Sequence, residues 1–371
     1  MKYYIIAGEA SGDLHGSNLM KAILAKDPTA EIRFWGGDLM QNVGGTLVKH
    51  YRDLAFMGFA EVIMNLRTIL GNISVCKKDI LQFQPDTLIY IDYPGFNMRI
   101  AKWAKKLGIL NQYYISPQIW AWKENRIKDI KRDVDKMYVI LPFEKDFYEK
   151  KHHFPVEFVG HPLIDAISNR DKTSLKKFTS ENKLSQKPII ALLPGSRKQE
   201  IEKMLSIMLS VVDKFSDYQF VIAGAPSQEY DFYKQFLTTE NVNFVSNKTY
   251  DLLSVSHAAL VTSGTATLET ALFKVPQIVC YKANRISYEI AKRIITLKFI
   301  SLVNLIMDKE VVKELIQKEL NTQNLETELN KIISGNQRQE MLSQYEILEQ
   351  KLGGKGASEK TADLILNAIK K

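Results

Sequence analysis

Short apolar runs alternate with longer stretches of helical spacing along the first half of the chain. The runs that predict buried strands lie at residues 3–7, 87–91, 113–115, 136–141 and within 154–162. Between them, the helical spacing of apolar positions occurs at residues 17–24, 98–107 and 125–131. Strands that alternate with helices are typical of βαβ units, so this half predicts a parallel sheet.

The same pattern starts again after a polar segment, rich in Lys and Ser, at residues 169–187. A second set of strands is predicted at residues 188–193, 219–223, 242–245, 258–261 and 277–281. Beyond Asn304 the chain is mostly helix-forming and charged. We therefore expect two α/β domains with a cleft between them, at residues 1–168 and 169–345. Residues 346–371 should form a C-terminal helix that packs on the first domain or on a partner subunit.

Composition narrows the class of protein. The 371 residues carry 50 Lys and Arg against 42 Asp and Glu, a formal net charge of +8, and 45% are hydrophobic. This length and hydrophobic fraction fit a folded chain of two or three domains rather than a disordered one. Two cysteines, Cys76 and Cys280, are too few for a disulfide scaffold and suit a reducing compartment.

Neither a membrane span nor a signal peptide is predicted. The longest uncharged stretch, residues 252–268, is interrupted by hydroxyl side chains and a histidine. The positive net charge fits an ordinary basic surface or attraction to an anionic partner. Nucleic-acid binding would require a basic stripe with interleaved aromatic residues, whereas acidic and basic residues are mixed along this chain.

Candidate chemistry lies directly after the predicted strands, because ligands of parallel sheets bind at the carboxyl ends of the strands. The first such segment, GEASGDLHG, contains Gly8, Glu9, Ser11, Gly12, Asp13 and His15. Its small residues would let the backbone approach a ligand, and a helix N-terminus favours an anion. The alternative is a tight turn in which Ser11 or Asp13 caps the helix. The spacing is not that of a GxGxxG or Walker A loop.

The next two strands are followed by an aspartate and by a pair of tryptophans. Asp92 precedes a Pro-Gly turn that leads to Asn97. Its carboxylate could accept a proton from a substrate hydroxyl or form an Asx turn, and the spacing leaves these even. Large aromatic side chains most often pack in the core, so core packing is predicted for Trp120 and Trp122. Stacking on a sugar or base is the alternative.

The sequence predicts no metal site. Asp133 and Asp135 form a DxD pattern among basic residues, which is more typical of a charged helix end than of a Mg²⁺ site. The adjacent His152 and His153 lack the spacing that would place both on one metal.

Two loops in the second half predict a phosphate site. The segment LLPGSR places Arg197 at a strand-to-helix turn, where its guanidinium could hold a phosphate through two hydrogen bonds. The segment TSGTATLE opens a helix, and Glu269 lies about one turn into it. A diphosphate could be cradled there by the backbone and hydroxyl groups of Ser263, Gly264, Thr265, Ala266 and Thr267. An ordinary helix cap would explain Ser263 but not the whole run.

Taken in order, these segments resemble the lipid-A-disaccharide synthase family of bacterial glycosyltransferases. The matching stretches are AGEASGD, DxPxFN at 92–97, PxxWAW at 117–122, GHPLxD at 160–165, LLPGSR, SGTATLE, Asn304-Leu305 and residues 314–317. They cover residues 7 to about 317. The chain departs from the family pattern at Gln118, Val303 and His15, which affects fine substrate contacts.

The resemblance implies a GT-B fold of two Rossmann-like domains, the first binding the acceptor and the second a UDP-sugar. It also implies transfer of 2,3-diacylglucosamine from its UDP ester to 2,3-diacylglucosamine 1-phosphate with inversion, without metal or cofactor. Another UDP-sugar transferase, a UDP-sugar epimerase and a non-catalytic nucleotide-sugar binder are the alternatives. An epimerase would release its product without any acceptor.

Residue roles follow from the same resemblance. Asp92 is expected to be the base, with His15 in reserve. Arg197 and the 263–267 loop should hold the diphosphate, Glu269 should reach the ribose, and Asn304 should contact the donor. The acceptor side should be formed by Gly8, Glu9, Ser11, Gly12, Asp13, Asn97, Trp120 and Trp122.

Both implied substrates carry acyl chains, so we expect the protein to be cytoplasmic and peripheral to the inner membrane. Helical spacing of apolar residues at 56–70 predicts either an amphipathic membrane-contacting helix or a core-facing helix, with equal weight. The apolar positions are Phe56, Phe59, Ile63, Leu66 and Leu70. The sequence leaves open whether the protein is a homodimer.

Overall fold

Two parallel sheets organise the part of the chain that the structure describes. This computed structural model describes residues 1–54, 66–170, 173–225, 228–237, 239–284 and 298–370. One unit comprises Met1–Ser168 together with Leu352–Lys371, and the other comprises Asn169–Lys351. No helix within the described ranges is long and apolar enough to cross a membrane.

The strands of the first unit are β1 Lys2–Ala7, β2 Glu31–Gly36, β3 Thr46–His50, β4 Thr87–Ile91, β5 Leu110–Tyr114, β6 Lys136–Val139 and β7 Glu157–Phe158. In the described residues they form a seven-stranded sheet in the order β3-β2-β1-β4-β5-β6-β7, with all neighbours parallel. Strands β2 and β3 are added on one side of β1, and β4 to β7 on its other side. The boundary between β1 and β4 is therefore the point at which the strand order reverses, called the reversal point below. All five residues of β4 are buried, as a strand covered on both faces requires.

Helices connect these strands. They are α1 Ala10–Lys26, α2 Asp38–Val43, α3 Leu66–Phe83, α4 Pro94–Lys106, α5 Ile127–Asp133, α6 Pro142–Asp146 and α7 Pro162–Ser168. Short 3₁₀ turns occur at Tyr51–Leu54 and Glu124–Arg126, and a π-helical turn at Phe147–Lys151.

The second unit repeats the arrangement. Its strands are β8 Ile189–Leu193, β9 Gln219–Gly224, β10 Val242–Ser246, β11 Ser256–Thr262, β12 Gln277–Tyr281 and β13 Lys313–Ile316. The described residues form a six-stranded sheet in the order β10-β9-β8-β11-β12-β13, again with all neighbours parallel. The strand order of this sheet reverses between β8 and β11. Its helices are α8 Leu175–Glu181, α9 Lys198–Met208, α10 Tyr230–Tyr233, α11 Thr249–Val255, α12 Thr265–Leu272, α13 Leu302–Met307, α14 Thr322–Ile333 and α15 Gly335–Lys351, with 3₁₀ turns at Leu209–Lys214 and Lys234–Phe236.

The predicted parallel sheets are confirmed, but three strands were missed. The sequence analysis assigned nothing to β2 and β3, and it expected mainly helix where β13 lies. Two of the four residues of β13, Lys313 and Glu314, are charged, so its hydrophobic pattern is weak. Its parallel pairing with β12 makes it a strand. Tertiary pairing therefore overrode a weak local preference.

The C-terminal segment is anchored to the first unit. Asp165 accepts hydrogen bonds from the backbone N–H groups of Gly356 and Ser358 at 2.7 and 3.0 Å. The final helix, Ala357–Ile369, packs along α1. Residues 346–351 do not belong to this helix as predicted, because they end α15 in the second unit.

Candidate active site

The first site lies where β4 ends, at an unusual turn of the backbone. Asp92 and Tyr93 are both left-handed, with φ of 44° and 48°, a conformation that costs energy for residues other than glycine. The carbonyl of Asp92 accepts hydrogen bonds from Asn97 Nδ2 at 2.7 Å and from the Tyr113 hydroxyl at 2.6 Å. Its N–H donates to the Tyr114 carbonyl at 3.2 Å. The surrounding core thus holds the turn and fixes where the Asp92 carboxylate emerges.

The turn at the end of β1 lies against this one. A Cβ on Gly8 would overlap the ring of Tyr93, so only glycine allows this contact. Gly12 packs on Ala7, and Ser11 is exposed. The sheet therefore brings Gly8 and its neighbour Glu9 to Asp92 at the reversal point, as the sequence predicted for ligands of such sheets.

The environment of Asp92 raises its pKa to about 7. Burial contributes most, the negative charge of Glu9 adds to it, and Glu144 adds a smaller amount, while the Tyr93 N–H opposes the shift. A carboxylate with this pKa is a far better proton acceptor at neutral pH than an ordinary aspartate. The geometry thus favours the proton-accepting interpretation of Asp92.

His15 is not placed as a second base. The ring is 6% exposed, its Nδ1 has no hydrogen-bond partner among the described residues, and burial lowers its pKa to about 4. His161 is also buried. Its pKa is lowered to about 3, mainly by burial and also by the charge of His15. A buried imidazole of such low basicity is poorly suited to take a proton from a substrate.

Asp13 has a structural role that the sequence analysis did not predict. Its buried carboxylate accepts the N–H groups of Gly37, Leu39 and Met40 at 2.8 to 3.0 Å, which caps the start of α2. Helix α1 has Glu9 at its N-cap position, with no side-chain cap. The alternative that Ser11 or Asp13 caps α1 is therefore wrong, and the Asp13 carboxylate, predicted on the acceptor side, instead holds α2.

The Nδ2 of the buried Asn97 donates to the Asp92 carbonyl, so this group stabilises the turn rather than binding a ligand. Its Oδ1 is buried without a hydrogen-bond partner among the described residues.

Glu144 is a residue that the sequence analysis missed. It is 1% exposed and accepts hydrogen bonds from Ser116 Oγ at 2.6 Å, Trp120 Nε1 at 3.1 Å and the Leu141 N–H at 2.9 Å. Burial raises its pKa. The signal that could have found it is the Glu three residues after Leu141, at the start of a Pro-initiated helix. It orders the loop that carries the tryptophans.

The two tryptophans behave differently. Trp120 is half-buried and packs edge-on against Phe143, whereas Trp122 is 48% exposed. The prediction of core packing is therefore wrong for Trp122. This ring borders a cavity of 200 Å³ whose lining is Asp92, Pro94, Pro117, Gln118, Ile119, Trp122 and Arg126. An aromatic face beside a proton acceptor suits a sugar.

The second site lies at the reversal point of the other sheet. Its cavity of 340 Å³ is bordered by the ends of β8 and β11 and by the starts of the helices that follow. Gly195 has a φ of 103°, and a Cβ there would overlap the Glu200 carboxylate. At Gly264, the N-cap of α12, no side chain caps the helix, and a Cβ would meet no atom within 4 Å. The α12 N-terminus therefore faces open space and can receive an anion.

The hydroxyls of the 263–267 loop are less available than predicted. Ser263 Oγ donates to the Ile300 carbonyl at 2.8 Å, and Thr267 Oγ1 donates to the Gly264 carbonyl at 2.8 Å. Thr267 is fully buried, whereas Thr265 is exposed. The predicted diphosphate contact through Thr267 is corrected, since its hydroxyl caps the backbone. Gly264, Thr265 and Ala266 remain at the cavity.

Glu200 and Glu269 line this cavity, and Arg197 is the chain neighbour of Ser196, which also lines it. Glu269 lines it and accepts a hydrogen bond from the Tyr250 hydroxyl at 2.7 Å, and burial raises the Glu269 pKa. Arg197 is the exposed N-cap residue of α9, with no ion pair to a carboxylate of the described residues. A free guanidinium at a helix start is suited to a phosphate.

Asn304 is not placed to contact a donor. Its side chain is fully buried, its Nδ2 donates to the Val312 carbonyl and to Glu314 at 2.9 Å, and its Oδ1 accepts the N–H groups of Val311 and Val312. With its donors and acceptors thus engaged, Asn304 positions β13, and the predicted donor contact is corrected.

The DxD pair is also engaged within the protein. Asp133 forms an ion pair with Arg132 at 2.6 Å, and Asp135 pairs with Lys105 and accepts the Asn111 N–H. Within the described ranges no cluster of His, Cys, Asp or Glu could hold a metal ion.

The fold and the two sites define a class. Among solved structures, a UDP-GlcNAc 2-epimerase from Neisseria meningitidis superposes with a TM-score of 0.69 at 16% identity, covering 99% of this chain and all of the other. The glycotransferase of kitacinnamycin superposes with a TM-score of 0.67 at 13% identity, covering 99% and 98%. The chain therefore has the GT-B fold of nucleotide-sugar transferases and epimerases.

Sequence comparison defines the family. The lipid-A-disaccharide synthetase family matches residues 3–368. The lipid-A-disaccharide synthase of Syntrophus aciditrophicus is 40% identical, covering 99% of this chain and 97% of the relative. That of Coxiella burnetii is 36% identical, covering 98% of both. The chain belongs to the lipid-A-disaccharide synthase family, which confirms the resemblance.

Proposed function

We propose that this chain condenses UDP-2,3-diacylglucosamine with 2,3-diacylglucosamine 1-phosphate to give the β-1,6-linked disaccharide 1-phosphate and UDP. Family membership supports a UDP-sugar-dependent glycosyltransferase of lipid A biosynthesis. The observation that carries the proposal is Asp92, a carboxylate with a pKa near 7 on a fixed turn beside a cavity and an exposed tryptophan.

In this reaction the acceptor binds at the first unit. The Asp92 carboxylate takes the proton from the acceptor 6-hydroxyl as the oxygen attacks C1 of the donor sugar. Trp122 offers its ring to the sugar, and Glu144 holds the loop in place through Ser116 and Trp120. A single displacement inverts the configuration at C1, as the bond from C1 to the diphosphate oxygen breaks.

The second unit takes the departing UDP. As that bond breaks, negative charge develops on the diphosphate, and in this proposal Arg197 and the N-terminus of α12 stabilise it. Glu269 lines the same cavity and offers an acceptor to the ribose hydroxyls. In this proposal the first unit supplies one base and the second unit supplies one anion site, and the reaction uses no metal.

The test is whether UDP release requires the acceptor. The purified enzyme is incubated with diacylated UDP-glucosamine, with and without the acceptor 1-phosphate, while UDP and the disaccharide are measured. We expect UDP and disaccharide in equal amounts and only with acceptor. Epimerisation of the donor without acceptor would instead establish the alternative function.

We also propose peripheral contact with the inner membrane, because both substrates carry acyl chains. Most of the predicted helix at 56–70 lies outside the described residues, including Phe56, Phe59 and Ile63, and the side chain of Leu66 is not described. Residues 66–70 begin α3, which continues beyond the predicted segment and buries Ile73, Cys76 and Ile80. It exposes Leu70 and Leu81, three helical turns apart on one face, at 53% and 56%. Lys78 is also exposed on that face. The exposed leucines and lysine of α3 support contact of this helix with an anionic surface.

Sedimentation with vesicles containing phosphatidylglycerol tests this contact. We expect salt-sensitive binding that weakens in Leu70→Ser and Leu81→Ser. Leu107→Ser, a change at a 50% exposed leucine on another helix end, is the matched control and should bind as wild type. Equal binding by all variants would rule out α3 as the contact.

A further inference from the structure

A second cavity adjoins the one beside Asp92. It has a volume of 210 Å³ and is lined by Pro94, Gly95, Met98, Arg99, Pro117, Arg126, Asp129 and Ile130. Pro94, Pro117 and Arg126 also line the cavity of Asp92 and Trp122. Arg126 therefore stands on the boundary, with the proton acceptor on one side and a second chamber on the other.

Basic side chains outnumber acidic ones in the lining of this second chamber, with Arg99 and Arg126 against Asp129. Neither arginine forms an ion pair with a carboxylate of the described residues, whereas Asp129 is ion-paired with Arg132 at 2.8 Å, and Arg132 also pairs with Asp133. Lys123 adds a cation nearby, with Nζ 4.2 Å from the centre of the Trp122 ring. The Arg126 guanidinium carbon lies 5.6 Å from the same ring, which orients it.

A helix adds to this charge. Helix α4, 13 residues long, begins at Pro94 and has no side-chain cap at its N-terminus. Its first two residues, Pro94 and Gly95, line the chamber. The partial positive charge of the helix start and two free guanidinium groups thus converge on one small space, as at sites that bind phosphate.

We propose that Arg126 and Arg99 bind the anomeric phosphate of the acceptor sugar and make the enzyme specific for a phosphorylated acceptor. This inference rests on the proposed function, since it places the acceptor 6-hydroxyl at Asp92. C1 and C5, which carries the 6-hydroxymethyl group, flank the ring oxygen, so with the 6-hydroxyl at Asp92 the 1-phosphate reaches past Trp122 to the adjoining chamber. Arg126 then contacts the phosphate and orients the ring, while Arg99 supplies a second, more exposed contact.

The test compares two acceptors, 2,3-diacylglucosamine with and without its 1-phosphate. In wild type the phosphorylated acceptor should have the higher kcat/KM, and Arg126→Gln should reduce that ratio by about 10- to 100-fold, as loss of a charge-assisted hydrogen bond predicts. Turnover of the unphosphorylated acceptor should fall much less than that of the phosphorylated one. Arg126→Lys should keep part of the preference, and Arg99→Gln should reduce it less than Arg126→Gln.

Lys131→Gln is the matched control, because Lys131 is an exposed cation of the adjacent helix α5 that lines neither cavity. Its ratio should equal that of wild type. Thermal unfolding of each variant checks the fold. A loss that is equal for both acceptors, or an unchanged ratio in Arg126→Gln, would overturn the assignment.

A second measurement separates this inference from the proposed reaction. Binding of each acceptor in mixed micelles, without donor, is followed by tryptophan fluorescence, since Trp122 adjoins both groups of interest. Arg126→Gln should weaken binding of the phosphorylated acceptor alone. If wild type formed no disaccharide, the proposed function would fail, yet this binding comparison would still decide whether Arg126 recognises the phosphate.

Discussion

The two reversal points of this chain share one topology and differ in their chemistry. Between β1 and β4, a carboxylate sits on a left-handed turn with negative neighbours, so its proton affinity rises. Between β8 and β11, glycines and an uncapped helix start border a cavity next to an exposed arginine. We propose that the first arrangement handles a proton and the second an anion. Strand order places a site, whereas side chains from neighbouring loops decide what that site does.

The largest effect is expected from a variant that disables the first site alone. Asp92→Asn removes the proton acceptor and should lower kcat roughly 10²- to 10⁴-fold, with UDP binding at the second unit unchanged. Steady-state kinetics and UDP titration measure the two. Asp146→Asn, at an exposed ion-paired aspartate of the same unit, should be as active as wild type. Full activity of Asp92→Asn would exclude Asp92 as the base.

The same variant has a stability signature. The pKa of Asp92 is about 7 in the folded protein and 3.8 in an ordinary aspartate, so the folded state binds more protons between these values. Its contribution to stability therefore falls as pH rises from about 4 to about 7. Thermal unfolding should show that Asp92→Asn gains stability over wild type at pH 8 relative to pH 4.

The next effect breaks the second site. Arg197→Ala should weaken UDP binding by about 1.5–3 kcal/mol, since a charge-assisted contact to phosphate is lost. Calorimetric titration with UDP measures it, and the first site should keep its affinity for the acceptor. Lys198→Ala, the adjacent exposed cation, is the control and should lose much less. Unchanged UDP affinity in a folded Arg197→Ala protein would move the anion site elsewhere.

The smallest effect is expected from a variant that tests how the charge of Glu9 affects the Asp92 pKa at the first site. Activity should fall as pH drops through about 7, because Asp92 is then protonated. The negative charge of Glu9 raises the Asp92 pKa, so Glu9→Gln should move this acidic limb of the kcat/KM profile to lower pH by a fraction of a unit. Glu31→Gln, at another exposed glutamate of the unit, should leave the profile in place. An unshifted limb in Glu9→Gln would remove Glu9 from the electrostatics of the site.

The sequence determined the two sheets and the places where chemistry could occur. Continuous apolar runs such as residues 87–91 and 189–193 identify strands buried on both faces, because local periodicity records burial. Gly8, Asp92, Arg197 and the 263–267 loop followed from their positions at strand ends. Their order along the chain also identified the family.

Tertiary structure alone decided which of those side chains are free to act. Asn304, Thr267 and Asp13 all have the residue types of a binding site, yet backbone groups of the folded chain engage their hydrogen bonds. Trp122 has the residue type of a core and is exposed. For Asp13 the partners lie 24 to 27 residues away, and the local hydrogen bonds of Thr267 and Asn304 also form only once the chain is folded.

The same reason explains Glu144 and the pKa of Asp92. The carboxylate of Glu144 meets Ser116 and Trp120 only after folding brings the end of β6 beside the end of β5. Asp92 lies 83 positions from Glu9 in the sequence, yet the adjacent ends of β1 and β4 bring the two charges together. Burial and long-range charge are properties of the packed chain, so the sequence could name Asp92 as a candidate proton acceptor while only the fold could set its proton affinity.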